Sequence, residues 1–339
     1  MLYPMIFAPR LVEKMWGGRK LDTVLGKLLP SDKPIGESWE LYDFPPGVVD
    51  GSKDWISAKL TNGPLAGRTL HELVTAHRAE LCGDVPLAGE HGQFPILIKY
   101  LDAREDLSVQ VHPPAEYADA HPGAHVKNEA WYVLQHDAEA RILKGLQAGV
   151  TRGQFEQSIK DGTCEAKLAS IPAKLNDCHY LPSGTVHALG AGCLVAEVQT
   201  PSDTTYRVFD FDRVDPSTGQ LRQLHVEQAL ECIDFSGNEP PPPPKRHTAG
   251  FFTTVTALVR APQFGIDKVR MNEGVEQVIT NDRPVVWMVL QGDISVRVKD
   301  LAQPVVARAG TTLLLPAVMN EPVVMAGSDA IFLEVTFPL

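Results

Sequence analysis

Apolar residues recur in short runs along the first two thirds of the chain, and the runs are too brief for helices. They read FPILIKYL from Phe94, LSVQVH from Leu107, AWYVLQ from Ala130, ARILKGL from Ala140, CHYLPSG from Cys178 and CLVAEVQ from Cys193. Turn residues separate them, which is the pattern of a sandwich or barrel of short strands. Two stretches follow a helical period instead: TLHELVTAHRAE from Thr69 to Glu80, and RGQFEQSI ending at Ile159, with Thr151 placed to cap it. Both read as additions around a β core.

A second copy of the pattern lies further on. VVWMVLQGDISVRV echoes AWYVLQHDAEARIL, so Trp131, Val133, Leu134 and Gln135 correspond to Trp287, Val289, Leu290 and Gln291. Pro316 in GTTLLLPAVMNE then matches Pro182, and the position of His187 falls on Glu321. Since no histidine follows His247, the second copy is expected to be metal-free. From repeated Trp to repeated Pro is 51 residues in the first copy and 29 in the second; the extra 22 accommodate the helical insertion between Thr151 and Ile171. Five prolines, Pro240 to Pro244, followed by Lys245 and Arg246, suit an extended spacer and neither a helix nor a central strand. The division expected is therefore a first domain over 1–239, a linker over 240–246 and a second domain over 247–339.

Composition narrows the classes. At 339 residues the chain is long enough for two cores, and 44% apolar with 22% charged residues is ordinary for a globular protein. A net charge of -11 argues against nucleic acid or an anionic membrane as the main partner, so an anionic substrate would need local positive charge. The five cysteines, Cys82, Cys164, Cys178, Cys193 and Cys232, are scattered without a C-x-x-C pair, which indicates neither a disulfide framework nor a thiolate metal site. The opening MLYPMIFAPRLVEK has no signal-peptide pattern and eighteen apolar residues never run together, so a cytoplasmic protein is expected.

The chemistry concentrates in SVQVHPPAEY, Ser108 to Tyr117. Gln110 and His112 are two apart, and on a strand they point to the same face. Glu129 follows, and PSGTVHALG supplies His187 after a tight turn at Gly184. A lone histidine is ordinarily a core residue bonded to backbone. Two imidazoles, a carboxylate and a carboxamide on neighbouring strands instead suit a divalent metal, with zinc, iron and manganese all compatible. Lys127, two before Glu129, would share its face or else be a solvated loop lysine. In QTPSDTTYRVFDFDR, Asp203 and Arg207 follow the metal strands directly. Arg207 is either half of a structural ion pair or a planar donor to a developing enediolate or phosphate, with Asp203 orienting it or serving as a base. His121, His125 and His179 are read as surface or locally bonded residues. No phosphate loop or dinucleotide fingerprint occurs.

These blocks together resemble a family. WGGRKL at Trp16, IGESWEL at Ile35, LDAREDLSVQVHP, KNEAWYVL, LPSGTVHALG, SDTTYRVFDFDR and RQLH at Arg222 are similar to type I phosphomannose isomerases in their compact bacterial form. The resemblance implies a mainly β fold of two cupin-like (jelly-roll) barrels with small helical additions. It implies one zinc ion per chain on Gln110, His112, Glu129 and His187, and Arg207 as a catalytic arginine. Lys127 and Asp203 become candidates for proton transfer or substrate contact, and the substrate a phosphorylated hexose. The implied reaction interconverts mannose 6-phosphate and fructose 6-phosphate through a cis-enediol, the base being Lys127, Asp203 or a metal-bound water. Phosphate would dock at the barrel mouth, with Ser108, Lys99 and Lys127 as contacts. Two departures stand out: Asn176-Asp177 replaces the Gly-Asp that commonly precedes the PSG strand, and Pro114 and Ala115 replace an acidic pair. Two other readings of the same residues are a non-catalytic, metal-pinned sugar-binding or regulatory bicupin and an iron oxygenase.

Overall fold

The structure, a computed structural model, describes every residue except 1, 31, 50, 216–218, 238–245, 251 and 339. The proline run, and with it most of the expected linker, lies outside the described residues. In the first half the short apolar runs become two antiparallel sheets. One has the spatial order Cys178–Leu181, Glu129–His136, Cys193–Gln199, Leu97–Ala103, Arg10–Gly18 and Ile35–Leu41. The other runs Leu168–Pro172, Arg141–Leu146, His187–Leu189, Val109–Val111 and Tyr206–Phe209.

Alternation along these strands decides what each face touches. Trp131, Val133, Val195 and Leu101 of the larger sheet meet Ile142 and Leu189 of the smaller one in a single apolar cluster, which marks their shared inner side. The alternate residues Val109, Val111, Leu143, Ala188 and Val208 point outward and pack beneath Phe155 and Leu230. Phe155 belongs to the helix Arg152–Lys160, which starts where the sequence places it: Thr151 accepts from the Gln154 N–H, and the Gln154 side chain accepts from the Thr151 N–H. Coverage on both faces explains why these strands read as nearly continuous apolar runs. The other expected helix is two pieces, Leu70–Ala76 and Arg78–Cys82, broken at His77, whose φ of -131° and ψ of 37° are not helical. Beyond the break, the carbonyls of Glu80 and Leu81 accept from Val318 and Ala317, fastening the second piece to the far half of the chain.

That far half repeats the arrangement. Its larger sheet is ordered Met5–Ile6, Thr312–Leu315, Val285–Gln291, Ala330–Thr336, Gly265–Met271, Thr253–Arg260 and His247–Ala249; its smaller sheet is Glu276–Val278, Val323–Ala326, Asp293–Arg297 and Val305–Arg308. The echo between Trp131 and Trp287 is therefore a repeated topology. Neither half is a closed barrel among the described residues: the two sheets of each half are joined by apolar packing rather than by a continuous hydrogen-bond ladder. The halves are also not independent. Met5–Ile6, from the start of the chain, adds an edge strand to the C-terminal sheet, and one apolar cluster runs from Leu2 through Tyr100 to Leu333.

Candidate metal centre

The inner faces of the two sheets of the first half converge on His112, Glu129 and His187. Cross-strand register sets up the smaller sheet's contribution. Gln110 stands opposite His187, His187 opposite Lys144, and Arg207 opposite Gln110, so Lys144, His187, Gln110 and Arg207 form one row across four strands. His112 follows Gln110 by two residues. Glu129 comes from the larger sheet, where it pairs with Leu181 and Gln199.

The turn between Leu181 and His187 carries the chain from one sheet to the other. Gly184 takes φ +86°, its N–H donates to the His112 carbonyl at 2.9 Å, and the Ser183 N–H donates to Asn128 Oδ1 at 3.0 Å. The turn is thereby tied to His112 itself and to Asn128, the neighbour of Glu129. Asn176, in the preceding turn, adopts φ 69° as expected for a stand-in for glycine.

The imidazoles are held in one tautomer. His112 Nδ1 lies 3.0 Å from the Thr204 carbonyl and His187 Nδ1 lies 2.8 Å from that of Thr185. A carbonyl only accepts, so each Nδ1 carries the proton and each Nε2 presents a lone pair inward. Those lone pairs meet Glu129: His112 Nε2 is 3.3 Å from Oε2 and His187 Nε2 is 2.9 Å from Oε1. All three residues are at most 1% exposed. His112 Nε2 and Glu129 Oε1 nevertheless have no hydrogen-bond donor, and Oε2 has only the Lys127 ammonium 2.9 Å away, which is costly for buried polar atoms. Acceptor atoms facing one another within 4.8 Å are what a divalent cation would satisfy, so the residues fit a metal. The Gln110 carboxamide faces the same point, its Nε2 3.3 Å from His187 Nε2; as a ligand it would turn its oxygen inward, a half-turn about its last bond.

Electrostatics agree. Burial, then Lys127, push the His112 pKa down to about 3, which keeps the ring neutral. Burial alone would raise the Glu129 pKa, but the Lys127 ammonium beside it outweighs burial and holds the carboxyl well below the usual range. Lys127 Nζ is 2.9 Å from Glu129 Oε2 and is itself buried.

The other sequence candidates divide. Ser108, buried, is two residues before Gln110 on the same inner edge. Lys99 is also buried, with Nζ 2.9 Å from Glu197 and 3.8 Å from Glu37, so its charge is committed between two carboxylates. Arg207 directs Nη1 to the Gln223 carbonyl at 2.9 Å, while its Nε is buried without a partner. Asp203 is exposed and makes no ion pair with Arg207 among the described residues, although its neighbour Thr204 anchors His112. His121 donates to the Tyr117 carbonyl, as expected of a locally bonded residue.

Glu197 is the residue the sequence reading missed. It stands opposite both Trp131 and Lys99, receives the Trp131 indole N–H at 3.0 Å, and has its pKa raised to about 7, by burial first and by Glu129 beside it, against the pull of Lys99. Its signal was a single acid inside the apolar run CLVAEVQ. Lys144, one of two cations in ARILKGL with Arg141, was likewise overlooked.

Fold and site together define a mainly β protein with a two-histidine, one-carboxylate centre buried between two sheets. The model of the family phosphomannose isomerase type I, catalytic domain, matches residues 5–144. A mannose-6-phosphate isomerase of Streptococcus mutans is 36% identical over 317 residues, 93% of each chain. A probable mannose-6-phosphate isomerase of Bacillus subtilis is 41% identical over 234 residues, 69% of each. The crystal structure of the mannose 6-phosphate isomerase from Bacillus subtilis aligns with a TM-score of 0.85 at 30% identity, covering 98% of this chain and 99% of that one. The chain belongs to the type I phosphomannose isomerase family, and its relatives are enzymes that isomerise mannose 6-phosphate.

Proposed function

We propose that this chain interconverts mannose 6-phosphate and fructose 6-phosphate through a cis-enediol, with one zinc ion held by Gln110, His112, Glu129 and His187. The observation that carries the reading is the set of buried acceptor atoms on His112 and Glu129 that converge beside the strand row of His187, Gln110 and Arg207. The ion, when bound, supplies a Lewis acid for the sugar oxygens. The remaining work falls to side chains. Arg207 has an unpartnered Nε–H to direct at the negative oxygen that develops as the proton moves between C2 and C1. Lys127 and Glu197 flank Glu129 and can hold or return that proton, and Asp203 at the rim is placed for substrate contact rather than deep proton transfer. Ser108 and Lys127 remain the substrate-facing candidates. Lys99 better serves to fix the Glu197 carboxyl.

The two sheet pairs are read as two cupin-like barrels, the first catalytic over 1–239 and the second over 247–339 without a metal, separated by the proline linker 240–246. Among the described residues no helix is long and apolar enough to cross a membrane, in keeping with a cytoplasmic enzyme on a phosphorylated sugar. The test is a coupled assay on zinc-loaded, folded protein. Conversion of either hexose phosphate into the other is expected; its failure with metal bound would overturn the reading.

A further inference from the structure

The repeated topology allows the two halves to be compared position by position. In the first half Trp131, Glu197 and Lys99 stand side by side on three strands. In the second, Trp287, Glu334 and Asp267 occupy the same three places. The indole donates to the glutamate in both, at 3.0 Å and 2.8 Å. The metal ligands have changed. The Gln110–His187 pair becomes Gln277–Val324, and Glu129, opposite Leu181, becomes Val285, opposite Leu315. Register thus places Val324, not Glu321, at the His187 position; Glu321 is exposed and pairs with Lys299 at 2.8 Å. Over this apolar floor lies a cavity of about 420 Å³ whose wall includes Val285, Trp287, Leu315, Val324 and Glu334.

What the second half lost is positive charge. Glu197 has the Lys99 ammonium 2.9 Å away, whereas the corresponding Asp267 is an acid paired with Arg260 at 2.6 Å. Lys127, four residues before Trp131, corresponds to Arg283, whose Nε and Nη2 each lie 2.7 Å from the Asp84 carboxylate. Glu334 keeps the carboxyl group and the indole that orients it, yet makes no ion pair among the described residues. Burial raises its pKa and Asp267 adds to the effect, against the Trp287 indole and the Arg260 guanidinium, which pull it down. The cation in the cavity wall, Arg283, is already held by Asp84, which leaves the Glu334 carboxyl as the acid facing the apolar floor.

We propose that this cavity is a second binding site, for a small organic ammonium ion with an apolar body. The ammonium donates to the Glu334 carboxylate as the Lys99 ammonium does to that of Glu197, and the hydrocarbon lies against Val285, Leu315 and Val324. The site is independent of the isomerase reading.

Isothermal titration of the metal-loaded full chain with benzylamine, benzyl alcohol and benzoate tests it. Benzylamine should bind one per chain, undisplaced by mannose 6-phosphate, at least about tenfold more tightly than benzyl alcohol, with benzoate silent. Glu334→Gln, which retains an acceptor for the Trp287 N–H, should erase the preference for the amine and leave isomerase turnover unchanged. Val324→Phe, which fills the floor, should abolish binding of both benzylamine and benzyl alcohol. Equal affinity for amine and alcohol would make the cavity a neutral one and overturn the proposal. So would undiminished amine binding by Glu334→Gln, or no saturable benzylamine binding up to roughly 20 mM.

Discussion

A histidine becomes a metal ligand when its second nitrogen is spoken for. Thr204 and Thr185 do this for His112 and His187 through their carbonyls, and the consequence is a pair of inward lone pairs, of which that on His112 has no protein donor and that on His187 has only the Gln110 carboxamide at 3.3 Å. His112→Ala or His187→Ala should each reduce bound metal from one ion per folded chain to nearly none. Metal analysis alongside circular dichroism checks this, and retention of the ion in both variants would remove the site. Arg207 acts on a different quantity. On the proposed reading it stabilises charge rather than holding metal, a role that its position opposite Gln110 and its unpartnered Nε support. Arg207→Ala should lower kcat by about 10²- to 10³-fold, the scale for losing one preorganised donor, with metal content and Tm unchanged. A fall in activity that only tracks lost metal or lost stability would make the arginine structural.

Among the elements, the turn from Leu181 to His187 matters most for the site, because it moves the chain between sheets while delivering a proposed ligand. Gly184 is held at φ +86°, and a Cβ there would also lie 3.2 Å from the Cys232 carbonyl. Gly184→Ala should cost about 1–2 kcal/mol and, by displacing His187, weaken metal retention. Gly149, at φ +82° with open space around it, is the control: Gly149→Ala should cost similar stability but leave metal binding intact. Thermal melts with and without chelator separate the two. The helix Arg152–Lys160 was legible from its capping residues, and the strands from their alternation. The break at His77 was not legible, since it is bound up with carbonyls of Glu80 and Leu81 that reach the distant residues Val318 and Ala317.

At the scale of the whole molecule, a line of buried charge runs inward from the partly exposed Lys14 through Glu37 and Lys99 to Glu197 beside the centre. Burial alone would raise the Glu37 pKa, but Lys14, Lys99 and the Trp39 indole bring it down to about 2. A carboxyl depressed from 4.5 to about 2 contributes stability that is complete above its unfolded pKa and lost as pH falls through the folded one. About 3 kcal/mol should therefore disappear between roughly pH 4.5 and pH 2. Glu37→Gln should be less stable at neutral pH yet show a shallower loss of Tm on acidification. An acid limb identical to the parent's would mean that Glu37 is not the group responsible.

The sequence by itself determined the strand-rich architecture, the repeat and the residues that can hold a metal, because alternation, capping and ligand chemistry are local properties. It also exposed the family through blocks whose spacing a single chain displays. Tertiary structure decided the rest. Which of two lysines faces the centre depends on register: Lys99 turned out to be committed to Glu197 and Glu37, and Lys144 shares a row with His187. Glu197 looks like one acid in an apolar run until a neighbouring strand brings Trp131 and Lys99 beside it. The replacement of His187 by Val324 rather than Glu321 in the second half follows from strand pairing, which sequence offset cannot count when a turn lengthens. Position along the chain records which groups are present; only packing and pairing fix which charges meet.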